Sequence, residues 1–114
     1  MPATPQQVMA NLAAAQRAKT AHEAVRRQIR DAGDPQAARQ VAAAILLDSP
    51  ELVDSMRVAD VLHCVPQLGQ ARIALLTRHG LTEHDRLRDM TITQALRIAG
   101  WLRDPSLTIK AIAA

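Results

Sequence analysis

The first thirty residues carry a thin apolar stripe at the spacing of an α-helix. Its members recur every three or four residues, at Val8, Leu12, Ala15, Ala18, His22, Val25 and Ile29. Thr4 is a suitable N-cap before Pro5, and Gln7 completes a capping box. Gly33 is a typical stop signal. We therefore predict one helix over residues 5–32, which is long for a chain of 114 residues. Much of it should project into solvent because the stripe is poor in large side chains.

Pairs of a capping residue and proline predict two further helices. One pair, at positions 34–35, opens a predicted helix over 35–47, and the other, at 49–50, opens a short one over about 50–55. Alanine, leucine, valine and isoleucine supply nearly all of the apolar content, and no segment alternates as a strand does. The sequence therefore predicts an all-α fold.

The second half of the chain predicts three more helices and a turn. The helices are expected over 58–65, from position 70 to His79, and from Thr91, as N-cap, to about Arg103. The turn should lie at 81–90. Core-facing side chains are expected at Ile73, Leu75, Leu76, Leu81, Leu87 and, as the only aromatic residue, Trp101.

The helices form one compact unit with three parts. Residues 1–48 hold the long helix and the second helix, residues 49–103 hold the short helices, and residues 104–114 form a tail. The net charge is +3, the pI is about 10.0, and arginine supplies most of the cations. We expect any basic face to arise from folding, because acidic residues are interspersed along the chain.

Several functional classes are disfavoured. The single cysteine, Cys64, cannot form an internal disulfide, which fits a reducing cytoplasm. No signal peptide or membrane span is apparent, so a soluble cytoplasmic protein is expected. His63 and Cys64 are adjacent and point apart on a helix, so they do not form a zinc-ligand pair. The sequence contains no Cys-x-x-Cys or His-x-x-x-His spacing. We find no catalytic set and expect neither an enzyme nor a cofactor, metal or small-molecule substrate.

The segment VPQLGQARIALLTRHG, residues 65–80, joins two predicted helices. Pro66 ends the first, Leu68 can pack between them, and Gly69 permits a backbone conformation closed to other residues. The amides of Gly69, Gln70 and Ala71 would then face outward at a helix N-terminus and bind an anion. Residues 66–70 follow the pattern proline, any residue, apolar residue, glycine, any residue. This pattern by itself is more typical of an ordinary helix–helix turn.

Nearby arginines favour phosphate binding. Arg72 lies in the first turn of the following helix, and Arg86 and Arg88 flank Leu87, which should point both guanidiniums outward toward a duplex backbone or minor groove. Four residues of the long helix and one residue before the predicted helix 58–65 are additional candidate contacts: Arg17, Lys19, Arg26, Arg30 and Arg57.

Residues 53–91, VDSMRVADVLHCVPQLGQARIALLTRHGLTEHDRLRDMT, resemble the helix-two-turns-helix region of the actinobacterial integration host factors. These are the nucleoid-associated proteins of mycobacteria and streptomycetes. The likeness rests on Met56-Arg57-Val58, on Pro66, Leu68 and Gly69, and on Arg86, Arg88 and Met90. It implies an all-α protein that binds double-stranded DNA with little sequence preference, bends and condenses it, and associates with the nucleoid without catalysis.

Besides Asp89 and Thr91, which replace glycines, three positions depart from that family's pattern at potential cation contacts. Gln70 stands where the family has a lysine after the glycine of the turn, and Gln67 follows the proline. Asp85 replaces the first of three arginines in the family's pattern, of which Arg86 and Arg88 match the second and third. Because each lost phosphate contact lowers affinity, we expect weaker DNA binding than is typical of the family.

Two alternatives remain open on the sequence. One is a structured-RNA-binding protein, since a small-subunit ribosomal protein uses a similar turn. The other is a protein-interaction module that has lost DNA binding and presents its long helix to a partner. A monomer is the expected oligomeric state.

Overall fold

The computed structural model describes residues 4–66, 68 and 71–104. These residues form five α-helices and one 3₁₀ turn, with no strand beyond a single isolated bridge pair. The helices are α1 Pro5–Arg30, α2 Pro35–Leu47, α3 Val58–His63, α4 Ala71–Arg78 and α5 Ile92–Arg103, with the 3₁₀ turn at Leu87–Asp89. The all-α prediction is thereby confirmed.

Helix α1 begins with the predicted capping box. The Thr4 hydroxyl accepts from the Gln7 amide at 3.1 Å, and the Gln7 side chain accepts from the Thr4 amide at 2.9 Å. The N-terminal half is exposed, as expected, and the buried residues of α1 are Val25 and Ile29. The helix ends at Arg30, ahead of Gly33, whose φ of +104° only glycine adopts readily.

The predicted helix over residues 50–55 is wrong. This segment forms consecutive tight turns, in which the Val53 amide donates to Pro50 and the Met56 amide donates to Val53. Leu52 has a φ of +69°, which interrupts a right-handed helix. Its carbonyl oxygen lies 3.1 Å from Nε2 of His22 on α1, so a contact with a distant helix accompanies the turn.

Helices α2 and α5 pack side by side at the centre of the core. Small residues on α2, Ala38, Ala42 and Ala43, are fully buried and permit close approach to Ile98 and Leu102 of α5. One continuous cluster of buried side chains joins these helices to α1, α3 and α4.

Helix α4 presents a different face to this core from the one expected. Leu75 and Leu76 are buried, as predicted, but Ile73 is exposed, so its assignment to the core is wrong. The burial of Ala71 explains this, because Ala71 and Leu75 lie one turn apart while Ile73 lies on the opposite side of the helix. The anchors Leu81 and Leu87 are both buried, as expected.

Trp101 lies at the edge of the core, where it is partly buried and covered by Arg39 of α2. The guanidinium carbon of Arg39 is 4.8 Å from the indole ring centroid. One terminal nitrogen donates to the carbonyl oxygens of Trp101 and Asp104, at 3.1 and 3.3 Å. Arg39 therefore joins α2 to the C-terminal end of α5.

We expect Arg39→Ala to lower the free energy of unfolding by about 1–3 kcal/mol, because it removes the cation–π contact and the two hydrogen bonds. Urea denaturation followed by circular dichroism measures this loss. Gln40→Ala, on the exposed face of the same helix, is the matched control. An Arg39→Ala protein as stable as this control would show that the contact contributes nothing.

Candidate nucleic-acid interface

Helices α3 and α4 enclose a polar pocket of about 250 Å³. Three of its walls are basic: Arg57, the N-cap of α3, His63 at the end of α3, and Arg72 in the first turn of α4. Asp60 and Glu83 also line it. Asp60 and His63 face the same pocket because they are three residues apart on a helix.

Two antiparallel segments, residues 56–58 and 85–87, hold the edge of this pocket in place. The Val58 amide donates to the Asp85 carbonyl at 3.0 Å, and the Leu87 amide donates to the Met56 carbonyl at 2.9 Å. These bonds surround the bridge pair of Arg57 and Arg86. Burial of Leu87 fixes the second segment against the core. The side chain of Arg57 is exposed, and these bonds fix the backbone that carries it.

The two predicted groove-reaching arginines have different environments. Arg88 is exposed, as expected. Arg86 is half-buried, and its guanidinium donates a hydrogen bond of 2.6 Å to the Ser55 carbonyl oxygen. The expectation that both guanidiniums point outward is thus met by Arg88, while Arg86 also joins the two segments beside the pocket.

We expect Arg86→Ala to destabilise the fold by about 1–3 kcal/mol, because the Ser55 carbonyl loses a charged donor. Arg88→Ala should change stability by less than about 0.5 kcal/mol and weaken duplex binding severalfold. Thermal unfolding and a gel shift over a range of salt concentrations separate the two effects. Equal stability of the two variants would contradict the structural role given to Arg86.

The structure describes Pro66, Leu68 and Ala71 of the turn that was predicted to bind phosphate. Leu68 is buried, as expected, and Pro66 is exposed. The contacts predicted for Gly69 and Gln70 lie outside the described residues. The Ala71 amide donates to the Leu68 carbonyl at 2.9 Å and Ala71 is buried, so its predicted phosphate contact is corrected: this amide already has a partner.

The cations of α1 fall into two groups. Arg26 and Arg30 lie close enough to Cys64, at the end of α3, to oppose the rise in the pKa of its thiol that burial causes. Arg30 is exposed, whereas Arg26 is half-buried and paired with Glu23 at 3.2 Å. Arg17 and Lys19 are exposed and lie nearer the start of α1.

The grouping of basic side chains was only partly predictable. Arg57 and Arg72 were expected to contact DNA separately, and the structure brings them to one pocket. The place of His63 in that pocket was not predicted. Asp60 and Glu83, which also line the pocket, were not predicted either. Only the short spacing from Asp60 to His63 could have suggested a shared face.

No protein-family model matches this chain, and no curated protein or solved structure shows significant similarity to it.

Two further observations concern the same described residues. They contain no group of three or more His, Cys, Asp or Glu side chains that could hold a metal ion. Among their helices, none combines the length and apolar character needed to cross a membrane.

Proposed function

We propose that this protein is a non-enzymatic, architectural protein that binds the phosphate backbone of double-stranded DNA. The observation that carries the proposal is the convergence of Arg57, Arg72 and His63 on one polar pocket. Guanidinium groups match phosphate oxygens in geometry and charge, and the pocket is large enough for one phosphate group.

A phosphate in this pocket would take its hydrogen bonds chiefly from arginine. Arg57 is exposed and can donate to the phosphate directly, and Arg72 approaches from the facing helix. Asp60 and Glu83 oppose the bound anion, so each contact should be weaker than in a purely basic site.

Further contacts would extend along the duplex. Arg88 lies two residues beyond Arg86, and Arg30 lies near the Cys64 end of α3. Lys19 is exposed eleven residues before Arg30 on the same side of α1, a distance of about 16 Å along the helix. A duplex that bends toward the protein would reach contacts spread in this way, and these contacts would offset the cost of the bend. Phosphates carry no base identity, so we expect low sequence specificity.

The resemblance of residues 53–91 to the actinobacterial integration host factors supports the same function. It extends the proposal to DNA condensation and association with the nucleoid. Gln70 and Asp85 remain departures from that pattern, and they agree with the expectation of weak binding.

Single-stranded nucleic acid is the less favoured ligand. Trp101 is the only aromatic residue, and Arg39 covers it, so no aromatic platform is presented for unstacked bases. Competition between labelled duplex DNA and unlabelled duplex DNA, single-stranded DNA or structured RNA tests this. The proposal requires duplex DNA to compete best, and stronger competition by structured RNA would overturn it.

A further inference from the structure

An exposed apolar groove runs between the end of α2 and the beginning of α5, and it encloses about 420 Å³. Leu47 lies on its α2 side, and Ile92 and Leu96 lie on its α5 side. Ile92 is 80% exposed and Leu96 is 56% exposed. Among the described residues that line the groove, none is charged. The groove is therefore suited to an apolar segment that brings no charge into it.

The chain leaves α5 at the other end of the same pair of helices. Arg39, near the start of α2, donates hydrogen bonds to the carbonyl oxygens of Trp101 and Asp104 at the end of α5. The end of α2 lies beside the beginning of α5 at the groove, so the two helices run antiparallel. The bond to Asp104 therefore holds the start of the following segment beside the line along which α2 and α5 meet.

The exposed face of α5 carries no side chain at one position between Asp104 and the groove. This position is Gly100, which lies one turn from Leu96 on the same face of the helix. In the described part of the chain, no atom beyond its neighbours and the helix backbone lies within 4 Å of the place that a Cβ would take. Glycine is less favourable than alanine inside a helix, but here it allows another segment to approach the α5 backbone closely.

The composition of the segment that follows Asp104 suits the groove. This segment, residues 105–114, lies outside the described residues and has the sequence PSLTIKAIAA. It contains three large apolar side chains, and its only charged side chain is Lys110. Two of the apolar residues, Ile109 and Ile112, are separated from Asp104 by a stretch of chain that can be compared with the length of α5.

The segment is long enough to return to the groove of its own chain. Leu96 and Ile92 are eight and twelve residues before Asp104, which corresponds to about 12 and 18 Å along the helix. Five residues of chain span at most about 17 Å, and eight residues span at most about 27 Å. Ile109 can therefore reach Leu96, and Ile112 can reach Ile92.

We propose that residues 105–114 fold back along α5, pass over Gly100, and pack Ile109 and Ile112 into the α2–α5 groove of the same chain. Attachment a few residues away gives this segment an effective concentration in roughly the millimolar range. A second copy at about micromolar concentration does not have this advantage. The docked segment covers the exposed side chains of Ile92 and Leu96 and leaves the chain monomeric.

Disulfide crosslinking in the full chain tests this arrangement. Cys64→Ala removes the native thiol, and Ile109→Cys is then combined with Leu96→Cys. Under mild oxidation this pair should form a disulfide within one chain, because docking holds the two residues together. The matched control combines Ile109→Cys with Arg97→Cys. Arg97 is exposed, does not line the groove, and lies at almost the same distance from Asp104. The pair with Leu96 should close about tenfold or more faster than the control pair.

Two results would overturn the proposal. A segment that does not dock meets both positions of α5 alike, so the two pairs would then close at equal rates. Disulfide-linked dimers from the pair with Leu96 would place the segment of one copy on the groove of another. Circular dichroism establishes that each variant folds. In the unmodified chain, a nuclear Overhauser effect between the methyl groups of Ile109 and Leu96 is expected, and its absence would likewise contradict the proposal.

Discussion

Replacing Arg57 and Arg72 together by alanine is expected to weaken duplex DNA binding by about 10- to 100-fold at low salt. Both side chains line the same pocket, so the double variant removes the two permanent cations of the site. The slope of log affinity against log salt concentration should become shallower by about two, because two fewer phosphate contacts release counterions. Fluorescence anisotropy with a labelled duplex measures both quantities.

A charge-matched variant controls for the change in net charge. Arg97 and Arg103 are exposed on α5 and do not line the pocket, so Arg97→Ala with Arg103→Ala removes the same charge elsewhere. This control should retain most of the affinity. If both double variants lose affinity equally, binding depends on overall charge and the pocket has no special part in it. Circular dichroism and thermal unfolding establish that both proteins are folded.

Ile29→Ala is expected to reduce the free energy of unfolding by about 2–5 kcal/mol. The side chain is 0% exposed, and Ile29 and Val25 are the buried residues of α1. Truncation leaves a cavity where α1 joins the rest of the core. Such a loss is a large part of the about 5–15 kcal/mol that stabilises a typical domain. Urea denaturation followed at the helical band of the circular dichroism spectrum measures it.

Met9→Ala is the control in the same helix. Met9 is 67% exposed, so truncation removes little buried surface and alanine favours the helix. Its unfolding free energy should change by less than about 0.5 kcal/mol. Equal losses from Ile29→Ala and Met9→Ala would contradict the conclusion that only the C-terminal part of α1 belongs to the core.

The helices that begin with strong local signals could be predicted from the sequence. Thr4, Asp34 and Thr91 each cap a helix through the side chain, and all three helices begin where expected. A capping hydrogen bond spans only a few residues, so its signal is complete within the local sequence. The start of α2 was predicted for the same reason.

Features that depend on distant contacts could not be predicted in this way. Residues 50–55 carry a cap-and-proline pair like that of α2, yet Leu52 departs from helical geometry beside His22, thirty positions away. Ile73 was assigned to the core from helical spacing, but which face of α4 is buried depends on how α3 packs against it.

The candidate site also combines features that local sequence reveals with features that depend on distant contacts. Its arginines could be chosen one at a time from their neighbours in sequence. Their meeting with His63, Asp60 and Glu83 depends on the packing of α3 against α4 and on the loop that follows. The engagement of Arg86 by Ser55 likewise joins residues thirty-one positions apart. Local patterns therefore identified candidate cations but not the acidic residues that line the same pocket.

The proposed duplex-binding function rests on phosphate contacts made by arginine. The most direct measurement is the affinity of the unmodified chain for a mixed-sequence DNA duplex over a series of salt concentrations. With three to five phosphate contacts, we expect a log–log slope of about −3 to −4.5 and similar affinity for unrelated duplex sequences. Absence of binding at low salt, or an affinity that salt does not change, would contradict it.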